Sequence, residues 1–71
     1  VLIIGLGIMG QMNVLLARHY GAGKIIGADL VDYRCERAIE FGADAVINPT
    51  RDDLVERLSE LTNGKMADVV I

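Results

Sequence analysis

Val1-Leu2-Ile3-Ile4-Gly5-Leu6-Gly7-Ile8-Met9-Gly10 reads as a short strand that ends in a glycine turn and opens a helix. Four branched apolar residues run without a linker into Gly-x-Gly-x-x-Gly, after which helical periodicity begins. Gly5 permits a tight turn at the end of a buried strand. Gly7, lacking a side chain, lets the backbone approach a pyrophosphate, and Gly10 lets the new helix pack against the strand. The phosphate charge would then face the free N–H groups and the positive dipole end of that helix, foremost the backbone of Ile8 and Met9.

The turn alone is weakly specific, because glycine-rich strand-to-helix turns also serve as packing devices and as cradles for other nucleotides. Its context adds weight. A second apolar run, Lys24-Ile25-Ile26-Gly27-Ala28, ends at Asp29. That acid stands about 20 residues beyond the last glycine, where a carboxylate accepts hydrogen bonds from the hydroxyls of an adenosine ribose. The bland alternative for Asp29 is a solvated loop aspartate or a helix cap. Arg34 follows at the start of the second helix, where a guanidinium can lie beside adenine or reach the ribose; a solvated helix arginine is the competing reading. A carboxylate at Asp29 repels a 2'-phosphate and accepts from a free 2'-hydroxyl, which favours NAD over NADP.

The rest of the chain alternates in the same way. The first helix is expected over residues 8–20, with Met12, Leu15, Leu16 and His19 as its inward stripe and Gln11 and Arg18 turned outward. Gly21-Ala22-Gly23 stops it. His19, the only histidine, lies at the opposite end of that helix from the turn and suits its negative dipole end, a structural role. Strand 24–29 leads to a second helix over 33–41, capped by Asp32, with Ala38, Phe41 and Cys35 inside. A third strand covers 45–47, and Thr50 with Asp53 forms a capping-box-like start for a third helix whose stripe is Leu54, Leu58 and Leu61. The adjacent pair Asp52-Asp53 points in two directions and is read as helix-start acids rather than a metal site. A fourth strand is expected over 68–71. Short connections between alternating strands and helices predict a doubly wound parallel α/β sheet of Rossmann type, incomplete at about four strands and three helices.

Composition sets the limits. In 71 residues, 52% are hydrophobic, with no tryptophan, and the chain starts without methionine inside a buried strand. A full doubly wound domain has about six strands, so residues 1–71 are expected to be a partial dinucleotide-binding domain from a longer protein. A formal net charge of -3 argues against nucleic-acid binding. One cysteine offers neither an intrachain disulfide nor a multi-thiolate metal site and fits a reducing, cytoplasmic setting. Cys35 in the first turn of its helix is read as a packing residue rather than a reactive thiol. No apolar run approaches the ~20 residues of a membrane span.

Four stretches together resemble the cofactor domain of medium-chain dehydrogenases/reductases, most closely the zinc-dependent alcohol, polyol and threonine dehydrogenases. They are Gly5-Leu6-Gly7-Ile8-Met9-Gly10; Ile25-Ile26-Gly27-Ala28-Asp29; Glu40-Phe41-Gly42-Ala43-Asp44-Ala45-Val46-Ile47-Asn48-Pro49; and Leu61-Thr62-Asn63-Gly64-Lys65-Met66-Ala67-Asp68-Val69-Val70-Ile71. The resemblance covers essentially the whole chain. It implies that Gly5, Gly7, Ile8, Met9 and Gly10 form the pyrophosphate turn, that Asp29 holds the ribose, that Arg34 is the basic residue near it, and that Asn48 is a weaker candidate near adenine. Ile8 and Met9 stand where the family often has proline or a small residue, which leaves the subfamily open. The activity implied is hydride transfer between an alcohol or polyol and NAD, assisted by a zinc ion held in a separate catalytic domain, in a homo-oligomeric parent. No catalytic or metal-binding residue is expected within these 71 residues. Two other classes share the same turn and acid: a regulatory NAD-sensing module, and an S-adenosylmethionine-dependent methyltransferase domain.

Overall fold

The computed structural model covers residues 1–71 and places three strands and three helices in strict alternation: β1 (Leu2–Ile4), α1 (Ile8–His19), β2 (Ile26–Ala28), α2 (Asp32–Glu40), β3 (Ala45–Ile47) and α3 (Leu54–Leu61). The strands are parallel, in spatial order β1-β2-β3, with Leu2 opposite Ile26 and Ile26 opposite Ala45. Successive strand residues point to opposite faces, and both faces are covered, so nearly every strand residue is apolar. Ile3, Leu6, Val14, Ile25, Cys35 and Ala38 pack together under α1 and α2. Leu2, Ile26, Ala28, Ile47 and Leu58 pack on the other face under α3. This is a partial Rossmann-type α/β fold.

The expected fourth strand is a single parallel bridge, Val70 to Leu2, rather than a full strand. Three backbone bonds fix it: Leu2 N–H to the Val69 carbonyl, Ile71 N–H to the Leu2 carbonyl, and Ile4 N–H to the Ile71 carbonyl, each 2.9 Å. It lies on the side of β1 away from β2. The chain therefore adds β2 and β3 on one side of β1 and returns to its other side, so the carboxyl end of β1 is where the winding direction switches, the place where open α/β sheets bind ligands.

Three local expectations need correction. On α1 the buried residues are Gly10 and Val14, with Ala17 partly buried, whereas Met12, Leu15, Leu16 and His19 are exposed. The cause is Gly10, which brings the helix against the Gly5 carbonyl and turns a stripe of small side chains, not large ones, to the sheet. Gln11 does not point away either, since its amide reaches Leu6 and Arg34. Arg18, though exposed, ties the end of α1 to the Gly42 carbonyl at 2.9 Å and to Asp44 at 2.8 Å.

The second correction concerns α2. Its N-cap is Val31, with Asp32 already inside the first turn, and of its expected inner residues Cys35 and Ala38 are buried whereas Phe41, just past the helix end, is exposed. The Val31 N–H is held by Asp29 Oδ1 at 2.9 Å, which starts the helix one residue early, and Asp32 instead accepts from Asn48 Nδ2 at 2.9 Å and pairs with Arg51. Third, Asp53 and not Thr50 caps α3, accepting from the Glu56 N–H at 2.9 Å. Thr50 is drawn into the turn before it by Asn48 Oδ1. The stripe Leu54, Leu58 and Leu61 does face the sheet. No helix is long and apolar enough to cross a membrane.

Candidate dinucleotide site

The glycine turn and Asp29 meet at the carboxyl ends of β1 and β2. Gly5 sits at φ +87°, a left-handed conformation that glycine adopts without steric cost, and its N–H donates to the Ala28 carbonyl at 2.8 Å, continuing the pairing past β1. Leu6 then drives a fully buried side chain over β2, where Gly27 makes room: a Cβ there would lie 3.0 Å from the Leu6 methyls. The Leu6 N–H is thereby aimed at Asp29 Oδ2, 2.7 Å away.

Gly7 is the N-cap of α1 and makes no side-chain cap bond, and a Cβ built on it meets nothing within 4 Å. Gln11 N–H bonds the Gly7 carbonyl at 2.9 Å, while the N–H groups of Ile8, Met9 and Gly10 have no acceptor in the protein. Open space, unpaired N–H groups and a helix dipole converge there, which is the chemistry an oxyanion such as pyrophosphate needs.

Asp29 is the electrostatic centre. Its side chain is only 7% exposed, and besides Leu6 it accepts from Val31 and stands 3.8 Å from the Arg34 guanidinium. Burial pulls its carboxyl up, but the Leu6 and Val31 N–H groups and the Arg34 charge outweigh that and hold it below the usual aspartate value. The group is therefore an anion at neutral pH, and each oxygen keeps a lone pair beyond its backbone bond. It opens on a cavity of about 370 Å³ between Gly5, Val31, Arg34, Pro49 and Leu54. A neighbouring cleft of about 590 Å³ runs between α1 and α2 along Gly7, Ile8, Gln11, Arg34 and Arg37. Arg34 borders both.

The structure thus brings Gly5, Gly7, Ile8, Met9, Gly10, Asp29 and Arg34 to one edge of the sheet. Asn48 does not line the cavity; its amide is bound to Leu30, Asp32 and Thr50. Cys35 is buried, its thiol 3.6 Å from the Asp29 carbonyl, and burial pushes that thiol up, away from thiolate. His19 lies at the far end of α1, edge-on to Tyr20. The residue that sequence reasoning missed is Gln11. Side chains of a helix lean toward its N-terminus, so the first residue after the glycine motif leans over the turn, a signal available in its position.

A family model described as zinc-binding dehydrogenase matches residues 9–71. D-guloside 3-dehydrogenase of Escherichia coli strain K12 is 39% identical over 71 residues, all of this chain and 20% of that protein. L-threonine 3-dehydrogenase of Symbiobacterium thermophilum is 44% identical over the same span and again 20% of its length. Escherichia coli quinone oxidoreductase, solved in complex with NADPH, superposes with a TM-score of 0.88 at 38% identity, covering 97% of this chain and 21% of that one. The chain spans about a fifth of the length of the curated relatives it matches.

Proposed function

The chain belongs to the zinc-binding dehydrogenase family, and on that premise we propose that it is the pyrophosphate- and ribose-binding half of the cofactor domain in a longer NAD-dependent oxidoreductase. The observation that carries the reading is the 2.7 Å bond from the Leu6 N–H to Asp29, which joins the phosphate turn to the ribose acid across β1 and β2. The Ile8 and Met9 N–H groups hold the pyrophosphate at the positive end of α1, with Gly5, Gly7 and Gly10 giving the turn its shape. Asp29 accepts from the adenosine ribose hydroxyls, and Arg34 packs along the sugar and base. The 2'-hydroxyl of NAD suits an anionic Asp29, whereas a 2'-phosphate would meet its charge, so NAD is the preferred cofactor.

The bound nicotinamide supplies the hydride acceptor or donor, and the residues here bind and orient the adenosine half of that cofactor. No group of three His, Cys, Asp or Glu side chains stands together in this chain. In this reading a zinc ion would be held elsewhere in the longer protein and would supply Lewis-acid polarisation of the oxygen of a small alcohol or polyol substrate. The names of the dehydrogenase relatives support that substrate class. A homo-oligomeric, cytoplasmic parent completes the proposal; the free, buried Cys35 is compatible with a reducing compartment. Equilibrium titration of the full-length protein with NAD, NADP and S-adenosylmethionine tests the reading. Tightest binding of NAD is expected; tighter binding of NADP would overturn the cofactor preference, and binding of neither dinucleotide would overturn the reading.

A further inference from the structure

Gln11 makes one connection that no other side chain makes. From the first turn of α1 its amide nitrogen donates to the Leu6 carbonyl at 2.9 Å and to the Arg34 carbonyl at 2.9 Å. The Leu6 carbonyl has no other donor in the protein. Leu6 is therefore held from both sides, its N–H by Asp29 and its carbonyl by Gln11. A trans peptide is planar, so fixing the Leu6 carbonyl also fixes the direction of the Gly7 N–H that follows it. The second bond ties the same amide to the first turn of α2, which carries Arg34.

The orientation of that amide is unique. Its oxygen, Gln11 Oε1, is buried and has no partner. Turning the amide over would place this acceptor against two carbonyl oxygens and leave both without a donor. Both hydrogens of the amide are engaged, and the acceptor contributes nothing, so the group acts through donation alone.

On the reading that this edge binds NAD, we infer that Gln11 is a positioning residue for the cofactor: by holding the carbonyl of Leu6, whose N–H Asp29 holds, it fixes the backbone of that residue so that the phosphate turn and the ribose acid Asp29 are in register before the cofactor arrives. Its effect passes through Leu6 to Asp29, so it is coupled to Asp29 and not independent of it. A residue that merely stabilised α1 would lack that coupling.

The test is a double-mutant cycle in the full-length protein, with NAD affinity as the readout. Gln11→Met keeps the length of the side chain and removes both donors; Gln11→Asn keeps the amide but is one methylene short of the two carbonyls, and serves on the same readouts where the Met variant does not accumulate. Gln11→Met is expected to weaken NAD about 10-fold in the unmutated background and less than about 2-fold in an Asp29→Ala background, which leaves the Leu6 N–H without its acceptor. In the ligand-free protein the Leu6 amide hydrogen is expected to exchange at least about 10-fold faster in Gln11→Met. Equal losses in both backgrounds, or an unchanged Leu6 exchange rate, would overturn the inference while leaving NAD binding by the unmutated protein intact. Absence of NAD binding by the unmutated protein would remove the cofactor reading and the inference with it, and is distinguished by needing no variant.

Discussion

Gly10 stands so close to the Gly5 carbonyl that a Cβ on Gly10 would lie 1.8 Å from its oxygen. That contact seats α1 on the sheet and decides which of its faces is buried. Gly7, two residues into the same turn, has open space where its Cβ would be. Two glycines of one motif thus serve two purposes, one packing and one access.

Gly10→Ala is accordingly expected to destabilise the protein by at least about 3 kcal/mol, because backbone and not a flexible side chain must move. Gly7→Ala is expected to cost no more than about 1 kcal/mol, since glycine is preferred to alanine at a helix N-cap but the added methyl meets open space and no packing is lost. It should nevertheless weaken NAD about 10-fold, the scale of one lost charge-assisted contact. Thermal unfolding and NAD titration of the two variants separate the roles. Equal stability losses would contradict this division.

The start of α3 gives a second contrast. Asp53 caps the Glu56 N–H, so Asp53→Ala is expected to cost about 1 kcal/mol. Thr50→Ala removes only hydroxyl contact with Asn48 in an exposed turn and is expected to cost less than about 0.5 kcal/mol. Chemical denaturation would reverse this order if Thr50 were the cap.

Asp44 links stability to pH. The Ile25 N–H, 2.8 Å away, lowers its pKa most; burial opposes, and Arg18 and Lys24 add to the lowering. A folded pKa below the ordinary 3.8 stabilises the fold above that value, and the contribution is lost as pH falls through the folded pKa. Asp29 has the same sign. Melting temperatures between about pH 5 and pH 2 should therefore fall more steeply in the unmutated protein than in Asp44→Asn. The Asp44 side chain is 42% exposed, so solvent screening keeps the difference modest. Matching slopes would show that Asp44 contributes no such linkage.

The parallel alternation, the glycine turn and the acid after β2 were legible in the sequence because each rests on a local requirement: buried apolar runs, a glycine geometry, a fixed distance to Asp29. The inner face of α1 was not. Met12, Leu15 and Leu16 have the period and hydrophobicity of a buried stripe, yet the close approach at Gly10 turns the smaller row of Gly10, Val14 and Ala17 to the sheet instead, a row that the glycine itself marks. Caps failed for a related reason. Asp29 captured Val31 and Asn48 captured Thr50, so competition among neighbouring polar groups chose the starts of α2 and α3. Gln11 looked like a surface residue because its partners are carbonyls, which every residue carries.

The most direct measurement is NAD titration of the full-length protein and its Asp29→Ala variant, at a temperature where both are folded. On the proposed role, loss of the carboxylate removes the acceptor for the ribose hydroxyls and frees the Leu6 N–H, and NAD binding is expected to weaken by ~1–3 kcal/mol, with NADP affected less. Unchanged NAD affinity in Asp29→Ala would contradict the ribose role on which the account rests.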